Sequence, residues 1–527
     1  MQSGTKSIIA SKYMKSFKQG LTKLMSRNTI LTDRQTDRQT DRQENKYFLI
    51  VFLINLLALS PLIIFSHVHI SEDAYAYLMN NDWAAVEWYV GSFRYFGALV
   101  TSLISLTGHN PIVNPSLDIV FYIIISAFVI TLLSIYIFKL LKHTNKLFLF
   151  VLIEFALLIT VTNVWYSNIL TFAECIAFDA IGLLFCFLSI YIYSSRYSLI
   201  SRITASVLFI CSAACFQQFI SIFSIYTILI LCMKQSQTEK KSIKKLFLYY
   251  LKPFLFIVIN SVLYYLIGIG IQKILNITPN SRASMSLQTV IDNVKYFIKQ
   301  QHSFFKGRGF FSSEILTVCY LMVFVIFIFS LIMFWRKSRQ TAKTIFIGLS
   351  FVAAYICAYL PGLVSTSHGT RTICALFSVF ALFAIGAVAL YQHIITSAIL
   401  ACVLFLVFAL NVYKTVNMEV VQIIGNTNES TYADGIAYEI EKFEVSNGVN
   451  IKKIGVCYDK TPDINAKEIY HDYDAEAIIC LHIKHPIEFV EVPKDIIQNN
   501  FAEKDWTSYD AEEQIVFDKN TAYVCVY

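Results

Sequence analysis

The stretch IVFYIIISAFVITLLSIYIF, residues 119–138, contains no charged side chain. About 20 helical residues cross the hydrocarbon core of a bilayer, so this run predicts one membrane-spanning helix. Similar runs recur along the 527 residues, of which 56% are hydrophobic and 15% are charged. A soluble domain carries roughly 25% charged residues. The composition therefore predicts a polytopic α-helical membrane protein and excludes an ordinary soluble domain.

Eleven apolar runs predict about eleven transmembrane helices. The predicted spans are residues 47–66, 119–138, 146–163, 176–193, 203–216, 218–233, 249–270, 314–335, 343–361, 372–391 and 396–413. The neighbouring runs at 203–216 and 218–233 are interpreted as two short helices that meet at Gln217 and Gln218. Residues 96–106 are too few to span and predict a helix that lies in the interface or re-enters the membrane.

Basic residues orient the predicted bundle. They concentrate in four short loops, 139–146, 196–202, 234–245 and 336–343, which would all face the cytoplasm together with the basic N-terminus. Loop 164–175 has no Lys or Arg and would lie outside. Because eleven is odd, residues 415–527 would also lie outside. The net charge of +7 is explained by these loops and does not require a nucleic-acid partner.

Three domains are predicted: a cytoplasmic segment at 1–46, the bundle at 47–414 and an extracytoplasmic α/β domain at 415–527. In the last domain, ADGIAYEIEKF has helical spacing, whereas KKIGVCY, AEAIICLHI, EQIVFD and TAYVCVY are typical of strands. The first segment carries the repeat TDRQTDRQTDRQ, residues 32–43, and is predicted to be a disordered basic linker. A repeated ACAG tetranucleotide encodes Thr-Asp-Arg-Gln, so phase-variable expression by slippage is a hypothesis.

Polar residues converge on the predicted outer rim. Glu72 and Asp73 follow the first span within HVHISEDAYAY, and Glu174 and Asp179 lie where loop 164–175 enters the next span. Taken singly, each has an ordinary interpretation, such as a solvated loop acid or a paired structural acid. An acid inside a span is costly, however, and is usually functional or paired. Gln218 shares this level, where interhelical hydrogen bonding is the alternative.

Cations are predicted at the same rim. Arg94 precedes the short helix, and His368 and Arg371 lie in VSTSHGTRT at the start of a span. Arg308 lies in FFKGRGFF, which predicts phosphate recognition or a membrane-surface anchor. Together these residues fit the transfer of a sugar from a lipid-linked phosphate. That reaction needs a carboxylate to deprotonate the acceptor hydroxyl and cations to stabilise the leaving phosphate.

Four stretches resemble the GT-C class of membrane glycosyltransferases and, more narrowly, the bacterial serotype-converting O-antigen glucosyltransferases of the Gtr type. They are SEDAYAY, EWYVGSFRYFGALVTSLISL, NILTFAECIAFDAIG and ACFQQF. The resemblance implies a multi-pass protein of the bacterial inner membrane, with its N-terminus cytoplasmic and its C-terminus periplasmic. This family tends to have paired Asp where this chain has Glu72-Asp73, which leaves binding of a divalent cation open.

The resemblance implies that a hexose, glucose above all, is transferred from a polyisoprenyl-phosphate donor to a surface polysaccharide, O-antigen or lipopolysaccharide acceptor. A donor synthase and a flippase would act upstream. Asp73 would be the general base, supported by Glu72, and Arg94, Arg371 and Arg308 would bind the donor phosphate. Sugar hydroxyls would be oriented by Glu174, Asp179, Gln218 and His368.

Two other functions compete with this interpretation. A lipid-linked glycan polymerase also uses a large outer loop with arginines, and loop 273–313 is compatible with that activity. A flippase or transporter without chemistry would instead show charges deep in the bundle, broken helices and internal repeats. The sequence has few charges within its spans and no obvious internal repeat, which favours an outward-acting transferase.

Overall fold

A computed structural model gives the fold of most of the chain. It describes residues 34–68, 70–71, 74, 77–78, 83–141, 146–195, 198–237, 243–280, 287–305, 313–364, 370–458, 472–483, 485, 487–502 and 510–526. The chain divides into two compact units, Met1–Leu53 and Ile54–Tyr527. The helices, loops and sheet that carry the candidate site all belong to the second unit.

Helices dominate the described residues. In chain order they are α1 Arg34–Leu59, α2 Val86–Gly91, α3 Tyr95–Ser105, α4 Ser116–Leu140, α5 Lys146–Thr162, α6 Val164–Ser167, α7 Ile176–Ser195, α8 Leu199–Ala213, α9 Gln218–Ser236, α10 Ile243–Leu275, α11 Leu287–Phe305, α12 Glu314–Ser338, α13 Thr341–Cys357, α14 Leu360–Val364, α15 Ser378–Leu390, α16 Ile394–Asn447, α17 Asp472–His482 and α18 Lys494–Ile496. Short 3₁₀ turns at Ser60–Ser66, Ala173–Cys175 and Thr370–Phe377 and a π turn at Ile497–Phe501 extend some of them.

Nine helices among the described residues are long and apolar enough to cross a membrane, so the protein is a polytopic membrane protein. They coincide with nine of the eleven predicted spans. The other two, 203–216 and 343–361, coincide with α8 and α13, which have only 15 and 17 residues. The count of eleven crossings therefore stays a prediction. The break between α8 and α9 falls at Gln217, as predicted, and residues 95–105 form the expected short helix.

The two ends of the bundle differ in chemistry. At the end of α7, Arg202 donates to the Tyr193 carbonyl over 3.1 Å and stacks on its ring at 3.9 Å. Lys234 donates to the Ser194 carbonyl at this end, and Lys343 donates to the Ser236 carbonyl over 3.3 Å. Cations are favourable here because the last carbonyls of a helix lack intrahelical donors. Residues from three of the four predicted basic loops thus lie at this end, and the acidic rim lies at the other end of α7.

α1 begins at Arg34 and therefore includes most of the TDRQ repeat, within the segment predicted to be a disordered linker. A period of four is close to the 3.6 residues of a helical turn, and Arg and Gln are good helix formers, which accounts for a helix here. Residues 1–33 lie outside the described residues.

The C-terminal part contains a four-stranded sheet with the order β2-β1-β4-β3. The strands are β1 Lys453–Tyr458, β2 Glu488–Phe489, β3 Ile515–Asp518 and β4 Thr521–Val526. β1 pairs in parallel with β2 and β4, with Cys457 opposite Cys525, whereas β3 and β4 are antiparallel. Three of the four predicted strands are confirmed, since β1, β3 and β4 fall within KKIGVCY, EQIVFD and TAYVCVY.

The strand predicted for AEAIICLHI is wrong, because these residues lie in and just after α17. Parallel strands such as β1 and β2 need a crossover connection, and α17 lies in the segment that connects them. Its Ile478 and Ile479 pack into a core with Ile436 and Ile440 of α16. A short apolar run does not distinguish a buried helix from a strand by itself, and here the sheet topology decides for the helix.

Candidate functional site

The loop between α5 and α7 is built around a capped turn. Asn163 accepts a hydrogen bond from the Tyr166 amide over 2.9 Å and so caps α6. This orients the Tyr166 side chain into the bundle, where its hydroxyl donates to Asp179 Oδ2 over 2.7 Å. Asp179 and Tyr166 are completely buried. Among the described residues, Asp179 Oδ1 has no hydrogen-bond partner.

The segment around Arg94 packs against the ACFQQF stretch. Gln217 donates to the Ser92 carbonyl over 2.8 Å, and the amides of Phe96 and Gly97 donate to the Ala214 carbonyl over 3.2 and 3.1 Å. These bonds fix the start of α3 against the α8–α9 junction. Stretches that are 120 residues apart in sequence therefore form one surface at the acidic end of α7.

Arg94 lies between this surface and the buried acid. Its guanidinium stacks on the Phe216 ring at 5.1 Å from the ring centre and is close enough to Asp179 to interact with its charge. Arg94 Nε is buried and has no hydrogen-bond acceptor among the described residues. A buried guanidinium N–H without an acceptor is costly, which makes this atom a candidate contact for an anion.

α2 connects the first outer loop to Glu174. Tyr89 of α2 lies 3.9 Å from Cys175 Sγ, and its ring meets Phe178 edge-on at 5.3 Å. Burial raises the pKa of the Tyr89 hydroxyl, and the neighbouring Cys175 and Glu174 raise it further. Tyr89 is therefore neutral and presents a hydroxyl beside the buried Glu174.

Arg371 also contacts this loop. Its guanidinium lies 4.8 Å from the centre of the Phe172 ring, two residues before Glu174. The 3₁₀ turn that carries Arg371 is held by Phe377, whose ring meets Trp165 at 5.1 Å. Arg94 and Arg371 thus both lie near the segment that connects α6 to α7, each on an aromatic ring.

Gln218 begins α9 in this region. It is buried, and neither its side-chain oxygen nor its side-chain nitrogen has a hydrogen-bond partner among the described residues. Leaving a buried amide unsatisfied costs about 1–3 kcal/mol. Such a residue is destabilising unless a ligand or a conformational change supplies its partners.

Four of the predicted site residues lie outside the described residues: Glu72, Asp73, Arg308 and His368. Residues on either side of the acid pair in sequence are described. Ile70 is bonded through its amide and its carbonyl to Asn426, over 2.9 and 3.0 Å, and Ala74 is buried beside Trp83 and Ile112.

Sequence reasoning missed a polar stripe on α16. Asn411, Thr415, Glu419, Gln422 and Asn426 are spaced four, four, three and four residues apart, so they share one helix face. Asn411 accepts from the Val164 amide over 3.4 Å, and Thr415 donates to Ser167 over 3.2 Å. Gln422 donates to the Ile70 carbonyl over 3.0 Å.

Glu419 lies at the centre of this stripe and is completely buried. It is placed between the part of α16 that contacts loop 163–175 and the part that contacts Ile70. The helical spacing of polar residues beyond residue 413 was the available signal. The span was predicted to end at residue 413, and no helix was predicted for residues 414–432.

The described residues contain no group of three His, Cys, Asp or Glu side chains placed to hold a metal ion. Glu72 and Asp73, the pair predicted to bind any divalent cation, lie outside these residues. Of the acids predicted at the rim, Asp179 and Glu174 are described, and the hydrogen-bond partner of Asp179 is the Tyr166 hydroxyl.

Comparison with known families identifies the bundle. The model of the glucosyl transferase GtrII family matches residues 62–391, which is more than half of the chain. The chain belongs to the GtrII family. The resemblance to Gtr-type glucosyltransferases is thereby confirmed, and the protein is a membrane glucosyltransferase. No curated protein and no solved structure matches the chain.

The GtrII match contains all four stretches that carried the resemblance. Three of them are in contact at the acidic end of α7: those around Arg94, Asp179 and Gln217. Glu419 and the rest of the α16 stripe lie beyond residue 391, outside the match. Contacts to the loop that carries the candidate site are therefore also made by residues beyond the match.

Proposed function

We propose that the protein transfers a hexose from a polyisoprenyl-phosphate donor to a surface polysaccharide, O-antigen or lipopolysaccharide acceptor. Membership of the GtrII family indicates that this hexose is glucose. The reaction would take place on the outer face of the bacterial inner membrane, with the N-terminus cytoplasmic and the acidic end of α7 periplasmic. The observation that carries this proposal is the buried Arg94 Nε, which has no acceptor among the described residues, at the rim that also contains Arg371 and the buried Glu174 and Asp179. A lipid-linked phosphate supplies the missing anion.

The proposed reaction uses the rim residues in separate roles. Asp73 takes the proton from the acceptor hydroxyl while that oxygen bonds to the anomeric carbon of the donor. The bond between the anomeric carbon and the phosphate oxygen breaks, and the polyisoprenyl phosphate leaves. Arg94 and Arg371, with Arg308, stabilise its charge. Glu72 supports the base, alone or by holding a divalent cation.

The buried polar residues would position the site. Asp179 holds the Tyr166 hydroxyl and so fixes the segment that carries Glu174, which supports a positioning role for Asp179. Glu174, Gln218 and His368 would orient sugar hydroxyls, and the unsatisfied amide of Gln218 supports this assignment because a sugar can both donate and accept.

Family membership favours this proposal over a polymerase or a flippase. A flippase moves lipid-linked sugar without breaking a glycosidic bond, whereas the GtrII match shows a glucosyl transferase. The TDRQ repeat, if its codons are a uniform ACAG tract, would add phase-variable expression. Sequencing of single-colony isolates tests this, since mixed synonymous codons and one constant tract length would contradict it.

The direct test measures transfer of radiolabelled glucose from polyisoprenyl-phosphate glucose in membranes containing the full chain. We expect Asp73→Asn to abolish transfer at unchanged protein level. The control is Asp292→Asn, because Asp292 is exposed and bonds to Gln288 and Lys295 on its own helix. Mass spectrometry of the surface glycan in expressing and deletion cells provides the cellular readout, and an identical glycan in both would sink the proposal.

Arg94→Lys tests the phosphate assignment. Lys keeps the charge but loses the planar fork, and losing one hydrogen bond to a charged group costs about 1.5–3 kcal/mol, or about ten- to a hundredfold in affinity. We expect the KM for the lipid-phosphate donor to rise by that factor. Arg202→Lys is the matched control, since Arg202 also stacks on a ring but at the basic end. Equal effects of the two variants would contradict the assignment.

A further inference from the structure

An open cleft lies beside the rim on the far side of α2 from Tyr89. It has a volume of about 700 Å³, and its walls come from the first outer loop and from the segment that follows α10. Small-molecule sites are typically about 300–1,000 Å³. The residues that characterise it are Tyr77, Glu87, Trp88, Asn276, Thr278 and Asn280.

The lining has the chemistry of a carbohydrate site. The rings of Trp88 and Tyr77 offer flat apolar faces, which suit the C–H faces of a sugar ring. The Glu87 carboxylate, the side-chain amides of Asn276 and Asn280 and the Thr278 hydroxyl offer hydrogen-bond donors and acceptors for sugar hydroxyls. The described lining contains no Lys, Arg or His.

The walls are held together before any ligand binds. The Asn280 amide donates to the Gly91 carbonyl over 3.0 Å, and Gln272 donates to the Val90 carbonyl over 2.9 Å. A Cβ on Gly91 would lie 3.2 Å from the Thr278 carbonyl oxygen, so only glycine allows this approach without a shift. A preformed site loses less entropy on binding, which favours specific recognition of a polar ligand.

α2 separates the cleft from the buried cluster by the width of one helix. Glu87 and Trp88 face the cleft. Tyr89, the next residue of α2, contacts Cys175 beside Glu174. Arg94, which we assign to the donor phosphate, follows α2 directly. A sugar in the cleft would thus lie next to the donor site without sharing its cations.

We propose that this cleft binds uncharged sugar units of the acceptor glycan. This rests on the proposed function, because it assumes that the acceptor is a saccharide. Trp88 provides the stacking face, and Glu87 and Asn280 bind hydroxyls. The competing role for an exposed tryptophan at this level is a membrane-interface anchor.

Trp335 is a matched control for Trp88, because the two tryptophans are exposed to a similar degree. Its side chain is 39% exposed, and that of Trp335 at the end of α12 is 40% exposed. Trp335 lies beside Arg336 and donates to Thr341, far in sequence from the cleft. An anchoring role predicts similar behaviour of the two residues, whereas a sugar-binding role separates them.

The test uses the full chain in lipid nanodiscs and oligosaccharides released from the surface polysaccharide of the native host. Binding without donor is measured by saturation-transfer NMR. We expect Trp88→Ala to weaken binding about tenfold, as for loss of a well-placed aromatic contact, and Trp88→Phe to restore most of it. Trp335→Ala should bind like the unmodified protein. Equal binding by Trp88→Ala and Trp335→Ala would overturn the assignment.

Transfer kinetics then separate this inference from the proposed function. Trp88→Ala should raise the KM for the acceptor about tenfold and leave the KM for the lipid-phosphate donor unchanged. Normal glucose transfer with an unchanged acceptor KM would reject the cleft but keep the function. Trp88-dependent oligosaccharide binding by a protein that transfers no hexose would keep the cleft and reject the function.

Discussion

At the scale of single residues, the rim contains buried polar groups that have no hydrogen-bond partner among the described residues. The buried side-chain amide of Gln218 has no partner among the described residues, whereas Gln272, also buried, donates to the Val90 carbonyl. Two buried glutamines of this region thus differ in whether the side-chain amide has a hydrogen-bond partner among the described residues. This contrast predicts opposite effects on stability when the two amides are removed.

We expect Gln218→Met to leave stability unchanged or raise it, because it removes an amide that has no partner. Gln272→Met should lower stability by about 1–3 kcal/mol, since the Val90 carbonyl then loses its donor. Thermal unfolding in detergent measures both changes. If Gln218 orients a sugar, Gln218→Met should lower glucose transfer while the protein remains folded. Destabilisation by Gln218→Met would contradict this assignment.

The Tyr166–Asp179 pair shows the reverse situation. Tyr166→Phe removes the only hydrogen-bond donor that Asp179 has among the described residues, leaving the acid buried without one. We expect a loss of about 1–3 kcal/mol of stability, measured by the thermal midpoint. Tyr249→Phe is the comparison, because Tyr249 is only partly buried and bonds to a backbone carbonyl at 3.3 Å. A larger effect at Tyr249 would argue against a structural role for the pair.

At the scale of elements, close helix packing depends on particular glycines. A Cβ on Gly182 of α7 would lie 2.5 Å from the Phe219 side chain and 2.7 Å from the Cys215 side chain. With such a Cβ, α9 could not stay at its present distance from α7. By contrast, a Cβ on Gly425 of α16 would meet no atom within 4 Å. Replacing these two glycines by alanine should therefore change the stability of the protein in opposite directions.

We expect Gly182→Ala to destabilise the bundle by about 1–3 kcal/mol through overpacking. Gly425→Ala should stabilise the protein by up to about 1 kcal/mol, because alanine has the higher helix propensity. Thermal unfolding of the two variants in the same detergent tests this. Equal midpoints would show that α7 and α9 adapt freely to the extra methyl group.

The sequence predicted the location of most helices because apolar runs are long and unambiguous. It also predicted which stretches belong to one rim, since Arg94, Asp179 and Gln217 lie in short motifs beside spans. It failed where packing decides. α17 and a strand have the same local pattern. The polar spacing past residue 413 is compatible with a continuing helix, but the partners of that polar face, Ile70 and Ser167, are distant in sequence and are known only from the fold.

At the scale of the whole molecule, α16 joins the bundle to the C-terminal sheet. The helix contacts Ser167 and Ile70 through its polar stripe and packs on α17 through Ile436 and Ile440. It passes through residue 414, where a domain boundary was predicted, without a break. Residues beyond the GtrII match thus hold loops within it.

Asn426→Leu tests this coupling. Asn426 binds both the amide and the carbonyl of Ile70, two residues before Glu72 in sequence. We expect glucose transfer to fall about tenfold or more, because two backbone hydrogen bonds are lost at about 1 kcal/mol each. Asn447→Leu is the control, since Asn447 is exposed and bonds within its own helix. Full activity of the Asn426→Leu variant would show that the contact between α16 and Ile70 does not affect catalysis.

The length of α16 has a consequence for how this protein can be recombined with its relatives. A helix of 54 residues is about 80 Å long, whereas the bilayer core accounts for about 30 Å. Each residue inserted into it turns everything downstream by about 100°. A chimera joined within α16 would therefore retain the contacts of this helix only when the segment taken from the relative restores the same helical phase. The C-terminal region is exchangeable in steps of about seven residues and not residue by residue.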